Sequence, residues 1–551
     1  MRNILYLVLA AILFSCQPAE KKQKHTGIAS SPKLVVGVVV DQMRFDYLTR
    51  YASKYSETGF KRLIGDGFQC KSHHFSYMPT FTGPGHASVF TGTTPQVHGI
   101  IANNWYDKSI ERLIYCVEDT LVKSVGGDFK KENRSPRNML VTGLGDQVKL
   151  ATNHKGKVIG ISIKDRAAVL PAGKMADAAY WFKGGKDGVF ISSTYYMNEL
   201  PEWVQTFNQK QLPEHYLSQT WETMLPISEY TESNPDDNHY EQSIHKGHSP
   251  TFPYDLKKIK EKEGYSLIKS TPFGNNLLVD FAKEAIEHER LGQDSIMDLF
   301  TISFSSPDYI GHKYGPNSIE VEDTYLRLDQ SISELLDYLD QKVGKGEYVL
   351  FLTADHGAAH VPQELIDQGV EVGYYNDSTI WASVNSGLMA QYGVDSLIKS
   401  YSNYQFFFDH DLIAKHKINI SELSEKTVEI AMQQDGVKSG MTKKDLISQQ
   451  YTDRTKEVVQ KGWNHQRSGD VALIMMPGWI SDSYEGRGGT SHGSPWTYDT
   501  HVPFLLYGYG VEKGETQKRT RVEDIVPTVS AIVGIQPPMG CTGKNVHQAI
   551  R

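Results

Sequence analysis

Cysteine is scarce: four in 551 residues, too few for a disulfide-stapled scaffold and spaced like no zinc knuckle. Basic charge is not in excess either. Lys and Arg number 57 against 65 Asp and Glu, a formal charge of −8 with the signs interspersed, which removes the electrostatic footprint of a nucleic-acid binder. Long apolar runs are missing: the stretch from Ile4 to Phe14 is too short to cross a bilayer, and no better candidate follows. There is no internal repeat and no low-complexity tract. With 39% hydrophobic residues and 47 glycines, the expectation is one large globular domain carrying elaborations.

The short apolar run follows Arg2 and suits a secretory signal. It ends in Leu13-Phe14-Ser15-Cys16, which resembles the lipobox of bacterial lipoproteins. Residues 1–15 are therefore expected to be a signal peptide, Cys16 a lipid-anchored residue, and 16–31 a polar, Lys-rich tether. An ordinary signal with an incidental cysteine is the alternative. The expected location is the periplasm or outer membrane of a Gram-negative bacterium. Cys70, Cys116 and Cys541 remain, and an oxidising compartment permits one disulfide, for which Cys70 and Cys116 are the expected pair because they flank one early segment.

The single catalytic domain is expected over 32–551. Leu34-Val-Val-Gly-Val-Val-Val40 lacks polar alternation, as a parallel strand buried on both faces does, and Asp41 ends it. A helix is expected from about Phe45 to Leu63. The same order of apolar strand and then polar residue recurs at Val158–Ile163 before Lys164, at Leu299–Phe304 before Asp308, and at Tyr348–Leu352 before Asp355. Open α/β sheets place their sites at such strand ends. Residues of about 175–295 and 362–480 are more polar and read as insertions that partly roof the site, with Ile420–Met432 a helix within the second. His501–Tyr507 returns to the core, and Val522–Ile532 is an amphipathic helix ended by Gly534.

Six residues of metal-ligand type fall in four clusters: Asp41, Asp308 with His312, Asp355 with His356, and His492. Three carboxylates and three imidazoles make two mixed oxygen/nitrogen sites, suited to a pair of divalent cations. Each has a bland reading: an aspartate after a strand commonly caps a turn, and His501 competes with His492. Asp308 and His312 stand four apart, on one side of a helical turn, and Gly357 permits close backbone approach beside Asp355-His356. Thr82, in Thr82-Gly-Pro-Gly-His86, precedes or opens a short helix. It is an N-cap or, in the positive field of that helix end, a nucleophile activated by a cation that Asp41, Asp355 and His356 hold.

The ordered set Asp41, Thr82-Gly-Pro-Gly-His86, Gly99-Ile-Ile-Ala-Asn103-Asn-Trp105, Asp308-x-x-x-His312, Asp355-His356-Gly357 and His492-Gly493 resembles the alkaline phosphatase superfamily, most closely its PafA-type bacterial phosphate-monoester hydrolases. The resemblance implies a largely parallel α/β sheet between helices and two Zn2+ ions. One would take Asp308, His312 and His492; the other would take Asp41, Asp355, His356 and the nucleophile Thr82. It also implies a covalent phosphothreonine at Thr82, and contacts from Asn103, Lys164 and Arg166 to the phosphoryl oxygens. Two cations suit the dianionic group of a monoester better than a diester, so a nucleotide pyrophosphatase/phosphodiesterase is the second choice. A sulfatase is disfavoured because the segment lacks the Cys/Ser-x-Pro-x-Arg context. A lipid-tethered phosphate- or metal-capturing protein is the non-enzymatic alternative. Expected partners are small phosphate monoesters and, through Cys16, a membrane; a monomer is expected, without nucleic acid.

Overall fold

The computed structural model describes residues 31–245 and 247–551, so the expected signal peptide, Cys16 and all but the last tether residue lie outside the described residues. Pro32–Arg551 forms one compact unit. Its centre is a sheet of ten strands: β1 (Leu34–Val40), β2 (Phe68–His74), β3 (Ser124–Val125), β4 (Val158–Ser162), β5 (Ala178–Lys183), β6 (Val189–Ser193), β7 (Asp298–Phe304), β8 (Tyr348–Thr353), β9 (Phe504–Gly508) and β10 (Gly514–Arg521). They lie in the order β10-β2-β9-β8-β1-β7-β4-β5-β6-β3.

The middle run β8-β1-β7-β4-β5 is parallel throughout. Every residue of β1, β7 and β8 is buried, which is why these strands carry apolar residues on both faces. Register brings their C-terminal ends level: Val40 pairs with Phe304, Val39 with Thr353, and Ser303 with Ser162. The residues that follow these strands therefore emerge along one edge. Helices cover the sheet, among them α1 (Thr82–Thr91), α2 (Asp165–Ala172), α3 (Phe273–His288), α4 (Ser306–Tyr314), α5 (Ile319–Leu339) and α6 (Ile525–Val533). Gly534, at φ +74°, ends α6.

Three expectations are corrected. The helix expected over Phe45–Leu63 is broken into Tyr47–Arg50 and Phe60–Asp66. Asp329, on α5, takes the N–H groups of Ser56 and Phe60 at 2.8 and 2.7 Å, donors that a continuous helix would have used internally. Within the stretch read as the first insertion, β5 and β6 extend the main sheet and α3 buries Leu277, Leu278 and Phe281 in the main core. The disulfide is absent: Cys70, Cys116 and Cys541 are all free. Cys70 sits inside β2, whereas Cys116 lies under the first turn of α1 beside Gly83, so flanking one segment in sequence does not make them neighbours.

The second polar stretch holds its own antiparallel sheet, Ile398–Ser402, Gln405–Phe408, Val471–Met475 and Val437–Thr442, in that order, over a separate apolar cluster. The helix read within it spans Ile420–Ala431.

Candidate active site

All six ligand-type residues converge on the C-terminal edge of β8-β1-β7. Asp41 leaves β1 with its N–H bonded to the Phe304 carbonyl at 3.0 Å. Asp308 and His312 share a face of α4, with His312 Nε2 3.2 Å from Asp308 Oδ1. Asp355 and His356 follow β8, and the ring of His492, from a loop far along the chain, stacks on that of His356 at 3.5 Å between centroids. Two groups bring ligand atoms within 4.8 Å of one another: Asp41, Asp355 and His356, and Asp308, His356 and His492. The first holds the two carboxylates and the imidazole expected for one cation, without Thr82. In the second His356 stands where His312 was expected, while His312 remains against Asp308.

The donor set fits divalent cations. Asp41 Oδ1, Asp355 Oδ2 and His356 Nε2 are buried without a hydrogen-bond partner, and the Lys164 ammonium 2.7 Å from Asp41 Oδ2 is one positive charge among three carboxylates, an arrangement that a further cation would balance. Each imidazole is oriented by a backbone carbonyl: Nδ1 lies 2.8 Å from Thr490 O in His312, 2.9 Å from Gly357 O in His356, and 2.7 Å from Thr80 O in His492. A carbonyl only accepts, so each neutral ring carries its hydrogen on Nδ1 and leaves the Nε2 lone pair for a cation. Burial, with His356 and His312 beside it, holds His492 well below the usual histidine range and thus neutral. Burial and the neighbouring Asp355 push Asp41 up, against the pull of Lys164.

Thr82 is the first helical residue of α1, with Phe81 as the N-cap, so its hydroxyl is not consumed in capping. It is almost fully buried, and Arg166 Nη2 donates to its Oγ1 at 3.4 Å. Asn103 Oδ1 accepts the Gly83 N–H at 2.7 Å, which turns its amide NH2 outward as a donor next to the helix start. Lys164 Nζ is 2.7 Å from Asp41 Oδ2 and 2.5 Å from Asp308 Oδ2, so it bridges the two carboxylate clusters. Burial would lower its ammonium, and Asp308 and Asp41 more than reverse this. Arg166 is raised in the same way, against its burial, by Tyr115 and Asp165.

Several supporting residues escaped the sequence reading. Gln42, at φ +66°, donates from Nε2 to Asp308 Oδ1 at 2.9 Å and from its N–H to Asp355 Oδ1 at 3.2 Å, linking both clusters. His86 was visible in the Thr82 motif without a role; its Nδ1 lies 2.9 Å from the Thr82 carbonyl and 3.3 Å from Asp355 Oδ2, and its Nε2 meets Ser303 Oγ at 2.7 Å. Arg166 Nη1 donates to Tyr115 Oη at 3.1 Å, and Tyr115 and Arg134 both donate to Asp165. The signal for that network was Asp165 itself, placed between two cations.

The model of the type I phosphodiesterase / nucleotide pyrophosphatase family matches residues 35–501. A protein of Myroides odoratus named calcium-transporting ATPase is 44% identical over 98% of this chain and 97% of its own. Alkaline phosphatase PafA of Elizabethkingia meningoseptica is 42% identical over 96% of each chain. A crystal structure of wild-type PafA superposes with a TM-score of 0.91 at 41% identity, over 95% of this chain and 100% of that one. The chain therefore belongs to the type I phosphodiesterase / nucleotide pyrophosphatase family, and within it resembles the PafA-type alkaline phosphatases.

Proposed function

We propose that the protein is an exported alkaline phosphatase that hydrolyses phosphate monoesters through a covalent phosphothreonine at Thr82. The observation that carries this reading is the uncommitted Thr82 hydroxyl at the N-terminus of α1, within reach of Arg166 and beside the carboxylate–imidazole cluster. Thr82 Oγ1 attacks phosphorus as the alcohol departs; water then attacks the phosphothreonine, releasing inorganic phosphate and restoring the hydroxyl. The Asn103 amide and the Arg166 guanidinium receive the phosphoryl oxygens, in the positive field of the start of α1. Two Zn2+ ions, held by the two ligand groups, would supply Lewis acidity and lower the pKa of the attacking hydroxyl and of water.

Lys164 and Arg166 favour a dianionic substrate over the diesters of the same family. A capturing protein would need the ligands and cations but no free hydroxyl at Thr82. The test is a side-by-side rate measurement on an aryl phosphate monoester, diester and sulfate, with metal analysis of the same preparation. Monoester turnover should dominate, disappear on chelation and return with zinc. Thr82→Ala should lose several orders of magnitude whereas Thr82→Ser stays active, and acid-trapped phosphoenzyme should map to residue 82. Near-normal turnover of the Ala variant, or of metal-free protein, would overturn the mechanism.

Export and tethering through Cys16, with a monomer at the membrane surface, belong to the same proposal. Cys16→Ser should release the protein from membranes without changing turnover, since residue 16 precedes the compact unit. Persistent membrane association of that variant would remove the anchor.

A further inference from the structure

Asp499, on the short helix Thr497–Thr500, is fully buried. Its Oδ2 accepts three hydrogen bonds: from Gly493 N–H at 3.0 Å, Ser494 N–H at 2.7 Å and Ser494 Oγ at 2.6 Å. Its backbone carbonyl accepts the Gly357 N–H at 2.7 Å, and the neighbouring Tyr498 carbonyl accepts the Ala358 N–H at 3.1 Å. Gly493 directly follows His492, and Gly357 directly follows His356. One residue thus grips the chain immediately after each of the two stacked imidazoles, by its side chain on one loop and its main chain on the other. The approach is tight: a Cβ at position 357 would meet the Tyr498 carbonyl at 2.1 Å. Asp499 Oδ1 has no partner, and burial pushes the carboxyl up to about 7. The side-chain part of the grip therefore runs through one acceptor oxygen, which a neutral amide also offers.

We propose that Asp499 is a positioning residue that ties the His356 and His492 loops together and so fixes the pair of imidazoles for cation binding. This rests on the metal-holding reading given above. The plain alternative is that Asp499 stabilises the fold without affecting the ligands.

The experiment uses the full chain loaded with zinc and compares wild type with Asp499→Ala, Asp499→Asn and Ser494→Ala. Three quantities are measured: the rate of zinc loss to a chelator, kcat and KM on an aryl phosphate monoester, and amide exchange at Gly357, Gly493 and Ser494. Asp499→Ala should lose zinc about 10–100-fold faster, the usual range for groups that orient ligands, with kcat falling and KM nearly unchanged. Asp499→Asn should restore both, and Ser494→Ala should shed zinc at an intermediate rate. Wild-type zinc retention in Asp499→Ala, or a failure of Asn to rescue, overturns the proposal. If the Ala variant does not fold, Ser494→Ala decides, and wild-type retention there overturns it equally. If the wild type binds no zinc, the metal reading falls by itself; unchanged exchange at the three amides in Asp499→Ala then sinks the tie between the loops as well.

Discussion

Lys164 and Arg166 are neighbours across a single aspartate, yet they serve different parts of the site. Lys164 bridges Asp41 and Asp308, while Arg166 reaches Thr82 and is held by Tyr115. A cation aimed at a transferring dianion in a dehydrated site contributes several kcal/mol, and ~1.4 kcal/mol is tenfold in rate. Removing both by Lys164→Ala and Arg166→Ala should therefore lower kcat/KM for a monoester roughly a hundredfold more than for a diester, which offers one fewer anionic oxygen. General destabilisation cancels in that ratio, so an unchanged ratio places specificity elsewhere. The residues that the structure gathers at the strand ends were legible because their chemistry is written in type and order: aspartate and histidine after apolar strands, and a threonine opening a short helix with proline in its first turn. Gln42, Tyr115 and Arg134 were not, because their roles exist only through juxtaposition, which no local pattern encodes.

Among elements, α1 is closely constrained at the site. A Cβ at Gly85 would meet the Asp355 carbonyl at 2.4 Å and the Asp355 side chain at 2.7 Å, so the helix bearing Thr82 packs directly against the loop bearing Asp355. Gly85→Ala should force the two apart, costing about 1–3 kcal/mol of stability and a larger share of turnover than of Tm. Gly65→Ala is the control, since nothing lies within 4 Å of its Cβ position. Unaltered kcat in Gly85→Ala would show that the contact yields without moving the site. The central strands were readable because burial on both faces imposes uninterrupted apolar runs. The antiparallel direction of β9 was not, since an apolar run has no sense of direction. The break after Arg50 was hidden for another reason: its cause, Asp329, lies far along the chain on α5.

At the scale of the molecule, a strap over Tyr240–Gln242 joins the end of α4 to the loop before His492: Gln242 N–H donates to Lys313 O at 2.8 Å, and Gly489 N–H to Tyr240 O at 2.7 Å. Glu241, between them, is buried against Glu320 on α5; burial first, and then nearby carboxylates, push both carboxyls well above the ordinary glutamate range. Both stay protonated in the fold to higher pH than in the unfolded chain. Their contribution is complete below the ordinary glutamate value of 4.5 and is lost progressively as pH rises from there through their raised values. Tm should therefore fall as pH rises above the ordinary glutamate value of 4.5 and level off once both raised carboxyls have ionised, and Glu241→Gln should flatten that fall; a Tm flat with pH in the wild type contradicts the pairing. The same scale gives the level edge of the sheet a temporal meaning. Its functional residues run from Asp41 to His492, and such distant contacts close late. A chain still short of residue 492 lacks one of the proposed ligands, so on the proposed mechanism the site is complete only after His492 has been added and brought to the sheet edge.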